Sequence, residues 1–97
     1  MKKEVIRLIV RKEKFEDQEN LIAFYPDCEA NFGNLMSMTF NEGHSETGLA
    51  WYWKTKKADP EEVENFIRRY ESLNDCKVKL LHKLPRNFRE KVWYWNK

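Results

Sequence analysis

Three short stretches in the first half of the chain have the pattern of β-strands: the first and the third alternate, and the second is a short apolar run stopped by Pro26-Asp27. These stretches are residues 4–11 (EVIRLIVR), 21–25 (LIAFY) and 35–40 (LMSMTF). The charged stretch at 12–20 (KEKFEDQEN) has no period and is predicted to be an exposed connection. Strands this close in sequence favour an antiparallel meander.

The clearest element in the sequence is a helix that begins near residue 59. Asp59 suits the N-cap, Pro60 suits the first helical position, and Glu62 is placed to complete a capping box. Asn74 and Asp75 are expected to end the helix. Between these signals, apolar residues recur at the spacing of one helix face, at Val63, Phe66, Ile67, Tyr70 and Leu73.

Alternation returns at residues 76–84 (CKVKLLHKL), which predicts a fourth strand with a lysine-rich face. The expected fold class is therefore α+β: an antiparallel sheet of about four strands, in the order β-β-β-α-β, with one main helix packed on it. Residues 1–84 form a single predicted domain, because 97 residues leave no room for a second core. Residues 85–97 form a basic, tryptophan-rich extension, for which helix and strand both remain open.

The segment GHSETGLAWYW, residues 43–53, joins the third strand to the helix and carries candidate chemistry. A serine nucleophile needs a base and a third group that orients the base, and His44, Ser45 and Glu46 offer these residue types. Neighbouring side chains often point apart, however, and the sequence around Ser45 lacks the GxSxG elbow. We therefore expect GHSETG to be a turn or helix cap and LAWYW to be a short packed element, helical or extended. Catalysis or ligand contact is the alternative.

Several classes of site are absent from the sequence pattern. No metal-ligand spacing such as CxxC or HxxxH and no glycine-rich phosphate loop occurs, so neither a metal site nor a cofactor is expected. No apolar run approaches the roughly 20 residues that cross a bilayer, and no signal peptide is recognised. Cys28 and Cys76 are expected to be free thiols in a reducing compartment. These features favour a cytoplasmic location without membrane contact.

Charge is distributed unevenly along the chain, although its net value is only +2. Residues 77–97 carry seven lysines and arginines against one acid, or +6, so the first 76 residues sum to −4. Basic groups attract phosphates and aromatic rings stack on unpaired bases, so this mixture suits single-stranded nucleic acid. A protein or protein–nucleic-acid interface, homodimerisation, and docking of the segment on its own domain are the alternatives. The candidate binding residues are Lys77, Lys79, Lys83, Arg86, Arg89, Lys91, Trp93, Tyr94 and Trp95.

A second candidate surface contains three consecutive aromatic residues, Trp51, Tyr52 and Trp53. Three such rings cannot all face one core, whether on a strand or a helix, so at least one is expected to be exposed. Exposed tryptophan and tyrosine favour interfaces. His44 completes this second candidate surface.

From about residue 5 to residue 82 the chain resembles a family of small uncharacterised bacterial proteins, many of them carried by phages, plasmids and other mobile elements. The matching pieces are VIRLIVRK, LIAFYPD, LMSMTFNEGHS and TKKADPEEVENFIRRYESL. The chain departs from the family at Gly43-His44, where Gly-Gln-His is more frequent, and the basic extension lies outside the resemblance. The resemblance implies a compact α+β domain and a mobile-element setting, and it assigns no role to any residue.

These observations favour a small non-enzymatic binding protein that contacts a protein or protein–nucleic-acid partner through its basic, aromatic C-terminal surface. One alternative is an inhibitor of a host defence nuclease, similar to an anti-CRISPR protein, which the mobile-element setting implies by association. The other alternative is a small enzyme that uses His44, Ser45 and Glu46.

Overall fold

The computed structural model of the chain describes residues 4–29 and 34–84. Four strands come first in this part of the chain: β1 (Val5–Phe15), β2 (Gln18–Glu29), β3 (Leu35–Thr39) and β4 (Gly43–Thr47). The second half contains a short helix, a two-residue strand, a long helix and a last strand: α1 (Leu49–Lys54), β5 (Lys56–Lys57), α2 (Pro60–Asn74) and β6 (Lys77–Leu80).

The strands form one mixed sheet in the order β4-β3-β2-β1-β5, with β6 also paired to β1. β1 pairs with three other strands. Its second half pairs with β2 and β5, and its first half pairs with β6. Every pairing between these strands is antiparallel except that between β1 and β6, which is parallel. The predicted α+β class is therefore confirmed, whereas the expected count of about four strands and the antiparallel placement of the last strand are wrong.

The two faces of the sheet bury separate apolar clusters. On the face covered by α2 lie Leu8, Val10, Ala23, Tyr25, Met38, Ala58, Val63, Phe66, Tyr70 and Cys76. On the opposite face, covered by α1, lie Ile9, Ile22, Phe24, Leu35 and Tyr52. Alternate residues of the same strands thus belong to different clusters, which is why β1 and β2 read as nearly continuous apolar runs at their centres. We refer to these as the α2 face and the α1 face.

The predicted connection at residues 12–20 is instead the tip of a long hairpin. β1 and β2 stay paired up to Phe15 and Gln18, and a two-residue turn at Glu16 and Asp17 joins them. Glu16 adopts a left-handed backbone, with φ of 56°. Because this tip extends beyond the apolar core, its strands carry charged residues without hydrophobic alternation, so a search for that period misses them.

Three other predicted boundaries are also wrong. β2 continues past Pro26 to Glu29, with an irregular register after Tyr25 that accommodates a residue unable to donate a ladder hydrogen bond. Residues 43–47 form strand β4 rather than a turn, and the turn lies at residues 40–42. The last strand stops at Leu80 rather than 84, because the chain bends away from the sheet at residues 82 and 83.

Helix α2 begins and ends where its capping signals place it. Asp59 is the extended N-cap and Asp75 closes the helix in a left-handed conformation, with φ of 47°. The predicted side-chain cap is not made, because Asp59 forms no side-chain capping bond. Lys12 Nζ donates to Glu62 Oε1 at 2.9 Å, tying β1 to the helix. The hydrogen bonds from Lys12 and Asp59 lower the pKa of the Glu62 carboxyl.

The apolar stripe of α2 packs on the sheet as its spacing predicts, with one exception. Val63, Phe66 and Tyr70 are buried, and the ring of Phe66 lies 4.6 Å from that of Phe40. Ile67 is half-buried. Leu73, by contrast, is 66% exposed.

Candidate binding surface

The lysine-rich face predicted for the last strand is present on β6. Lys77 and Lys79 are exposed, and they lie beside Val5 and Arg7 of β1 in the parallel register. Paired residues point to the same side of a sheet, so both lysines share the α1 face with Arg7. Lys83, just after the strand, is also exposed.

The α1 face also receives the chain as it leaves β6. Leu81 and Leu84 are half-buried and pack against the cluster that contains Ile9, Phe24 and Tyr52. The last described residue therefore lies on the same face of the sheet as Lys77 and Lys79. The remaining candidate residues of the first surface lie outside the described residues: Arg86, Arg89, Lys91, Trp93, Tyr94 and Trp95.

Two more cations on the α1 face come from β1 and β5. Arg11 pairs with Lys57 in the β1–β5 register, so the two side chains share one face. Arg7 and Arg11 lie four residues apart on one strand, a separation of about 13 Å. Arg7 is hydrogen bonded to the carboxylate of Asp27, whereas Arg11 donates to the carbonyl oxygen of Thr55 at 2.7 Å. Lys57 was not singled out by sequence reasoning, because a two-residue strand leaves no periodic signal.

Helix α1 presents its three consecutive aromatic residues to three environments. Tyr52 is buried, and its ring meets that of Phe24 edge-on at 5.1 Å. Trp53 is 65% exposed and lies edge-on to Tyr52, also at 5.1 Å. Trp51 is half-buried and donates from Nε1 to Glu13 Oε1 at 3.3 Å. The expectation that at least one of the three is exposed is met by Trp53.

His44 lies away from those aromatic residues, on the α2 face of the sheet. Its Nε2 is 3.1 Å from the hydroxyl of Tyr25, which is in turn 2.8 Å from the hydroxyl of Tyr70. Tyr25 is 8% exposed, and burial, followed by its hydrogen bond to Tyr70, raises the pKa of its phenol well above the ordinary value. The second candidate surface is therefore divided between two faces, with His44 separated from Trp53.

Ser45 points to the face opposite His44, because adjacent residues of a strand alternate. Its hydroxyl is 3.2 Å from that of Ser37, which is fully buried, and Ser37 Oγ is 2.6 Å from Thr47 Oγ1. These contacts occupy Ser45 with a structural hydroxyl cluster. The strand thus separates His44 from Ser45, and the geometry does not join them as base and nucleophile.

Other site chemistry was sought in the described residues. Residues 4–29 and 34–84 contain no group of three or more His, Cys, Asp and Glu side chains placed to hold a metal ion. Cys28 is exposed and Cys76 is buried. None of the helices in this part of the chain is long and apolar enough to cross a membrane.

A groove of about 590 Å³ lies between α2 and the ends of β5 and β6. Ala58, just after β5, lines it on one side, and Leu80 and Leu81 line it on the other. Sequence reasoning missed this groove, because it depends on two short strands that reach β1 from distant parts of the chain. Two of the apolar residues that line it, Ile67 and Leu81, are only half-buried.

Comparison with known proteins found no matching family model, no matching curated protein and no matching solved structure. The resemblance to a mobile-element family therefore stays a prediction.

Proposed function

We propose that this chain is a non-enzymatic binding protein that contacts a protein or protein–nucleic-acid partner through its basic, aromatic C-terminal surface. The supporting observation is that the exposed Lys77 and Lys79 share the α1 face with Arg7, and that Leu84, the last described residue, packs on this same face.

The composition of this face suits a phosphate-bearing partner. Lys77 and Lys79 make no ion pair among the described residues, so their charges are available to a ligand. Trp53 adds an exposed ring whose orientation is fixed by its contact with the buried Tyr52. Lysines neutralise phosphates and exposed rings stack on bases, so the face combines both contacts of single-strand recognition.

The separation of His44 from Ser45 by the strand supports a binding role over the enzymatic alternative. An inhibitor of a host defence nuclease is a particular form of the same proposal, since such an inhibitor would present this cationic face to a nucleic-acid channel or its protein wall.

The proposal is tested by fluorescence anisotropy of labelled single-stranded RNA and DNA with the full-length protein at several salt concentrations. Neutralising two cations in the double variant Lys77→Gln/Lys79→Gln should weaken binding. It should also flatten the log–log salt dependence by about 0.7 for each phosphate that the variant no longer neutralises. Lys14→Gln is the control, because Lys14 is an exposed lysine of β1 on the α2 face.

Equal binding and equal salt dependence in the double variant would place the interface elsewhere and contradict the proposal. Absence of binding by the unmodified protein at low salt would remove direct nucleic-acid contact. The proposal then depends on a protein partner, and chemical cross-linking in a host extract should give a product that disappears in the double variant and persists in Lys14→Gln. A product that persists in both would overturn it.

A further inference from the structure

The groove beside α2 has an apolar wall built from three elements. The residues that form this wall are Val10, Ala58, Val63, Ile67, Leu80 and Leu81. Val10 and Val63 are buried beneath it, whereas Ile67, Leu80 and Leu81 remain partly exposed. Apolar surface left facing water is unfavourable, and a concave apolar surface of about 590 Å³ lies within the usual size range of small-molecule sites, about 300–1,000 Å³.

Most charged groups at the rim of the groove are already engaged. Glu64 is paired with Arg68 one helical turn away, and Glu71 Oε2 accepts the backbone N–H of Val78 at 2.8 Å. Arg11 donates from Nε to Thr55 Oγ1 at 3.0 Å and from Nη2 to the Thr55 carbonyl oxygen. Arg68 thus neutralises Glu64, whereas the N–H of Val78 holds the Glu71 carboxylate beside β6 without neutralising its charge.

Two polar groups at the rim remain available. Lys57 and His82 both line the groove, and both are exposed. Neither forms a hydrogen bond or ion pair within residues 4–29 and 34–84 that would compete with a ligand. Lys57 offers a positive charge with three N–H donors, and the imidazole of His82 offers a further donor. The rim thus combines an uncommitted cation with an apolar wall.

We propose that this groove binds a small amphiphile, with an apolar chain or ring against α2 and a single carboxylate at Lys57 and His82. The wall provides affinity through burial of apolar surface, and the rim fixes the orientation of the acid group. The groove shares Arg11 and Lys57 with the cations of the α1 face, but it is a different site from the surface proposed above, because Lys77 and Lys79 do not line it.

The test is an NMR titration of the full-length, ¹⁵N-labelled protein with decanoate, and with decanol as the uncharged analogue. Decanoate should produce saturable shifts at the amides of Val63, Ile67 and Leu80, and decanol should produce the same shifts at higher concentration. The proposal is overturned if decanoate does not change the chemical shifts of the groove amides. The same result is expected if another part of the chain fills the groove, and it overturns the proposal in that case too.

Two pairs of variants then separate the wall from the rim. Ile67→Glu places a charge in the wall and should abolish binding, whereas Leu73→Glu changes an exposed leucine of the same helix and should leave it intact. Lys57→Gln should weaken decanoate binding about two- to fivefold without affecting decanol. Lys56→Gln is its matched control, because the adjacent Lys56 does not line the groove. The proposed site would be contradicted if the two leucine and isoleucine variants, or the two lysine variants, changed decanoate binding equally.

Discussion

Tyr25 and Tyr70 form a buried hydrogen bond, and burial together with this bond raises the pKa of the Tyr25 phenol. Tyr25 comes from β2 and Tyr70 from α2, 45 residues apart, and their hydroxyls meet beneath the helix. Each hydroxyl gives the other a hydrogen-bond partner, so the two polar groups are buried within an apolar cluster at little cost in free energy. His44 extends this contact from the core to the surface.

Tyr25 gives the protein a predicted sensitivity to alkaline pH. Its pKa is raised in the folded state, so above about pH 10 the unfolded chain releases this proton while the folded protein retains it. The free energy of unfolding should therefore be unaffected by Tyr25 below pH 10 and fall above it, by at most about 1.4 kcal/mol per pH unit.

Urea denaturation of the unmodified protein and of Tyr25→Phe between pH 8 and pH 11 measures this contribution. The difference in stability between the two proteins should shrink as the pH rises, because lysine titration affects both alike. A constant difference would show that the phenol ionises equally easily in both states.

Residue roles were predictable from the sequence only where neighbours along the chain decide them. The crowding of Trp51, Tyr52 and Trp53 predicted that one ring is exposed, without showing which. His44 and Ser45 attracted attention by adjacency, yet their strand points them to opposite faces. The contact of Tyr25 with Tyr70 depends on how α2 docks on the sheet, which no local pattern encodes.

At the scale of elements, helix α2 contributes much of one core through a few buried side chains. Phe66 is 5% exposed and packs on Phe40, and the Arg69 guanidinium lies over the Phe40 ring at 4.2 Å from its centre. The periodic stripe correctly predicted the buried side of this helix, but it also included the exposed Leu73.

Truncation of the two stripe residues should therefore have unequal effects on stability. Phe66→Ala should lower the free energy of unfolding by about 3–5 kcal/mol, since it removes a buried ring and leaves a cavity. Leu73→Ala should change it by less than about 0.5 kcal/mol, because its side chain is already largely in water. Urea unfolding followed by circular dichroism gives both values, and comparable losses would show that the end of α2 is covered in solution.

Elements were predictable where a periodic pattern or a cap marked them, and not where pairing alone creates them. The capping residues gave α2 its bounds, and apolar runs or alternation located the centres of β1, β2 and β3. The charged ends of the β1–β2 hairpin, the polar β4 and the two-residue β5 exist because a neighbouring strand completes their hydrogen bonds. Such strands carry no hydrophobic signal of their own.

For the whole molecule, the most consequential pairing joins the first strand to the last described one. Val5 lies beside Lys77 in the parallel ladder, 72 residues away along the chain. By contrast, Phe15 and Gln18 pair across a two-residue turn. The sheet therefore combines very local with very distant contacts, and closing the distant pair carries the larger loss of chain entropy.

This difference predicts the order of folding. Val78→Ala, in β6, should mainly accelerate unfolding, because β6 pairs after the main barrier. Ile22→Val, in β2, should slow folding more than Val78→Ala does, when each change in rate is compared with that variant's loss of stability. The reason is that the β1–β2 pairing forms locally. Stopped-flow measurements of folding and unfolding rates in urea test both variants. A larger slowing of folding by Val78→Ala would show that β6 pairs early.

The same parallel pairing has a consequence for a chain that is still being made. Synthesis proceeds from the N-terminus, so Val5 through Leu8 emerge from the ribosome long before Lys77 through Leu80, their partners in the ladder. During that interval the first strand presents unsatisfied backbone groups to its surroundings, which is the condition under which strands associate with foreign chains. Arg7, lying within that strand, places a charge there from the beginning of synthesis. It can therefore act as a gatekeeper for the nascent chain before Lys79 takes its place beside it.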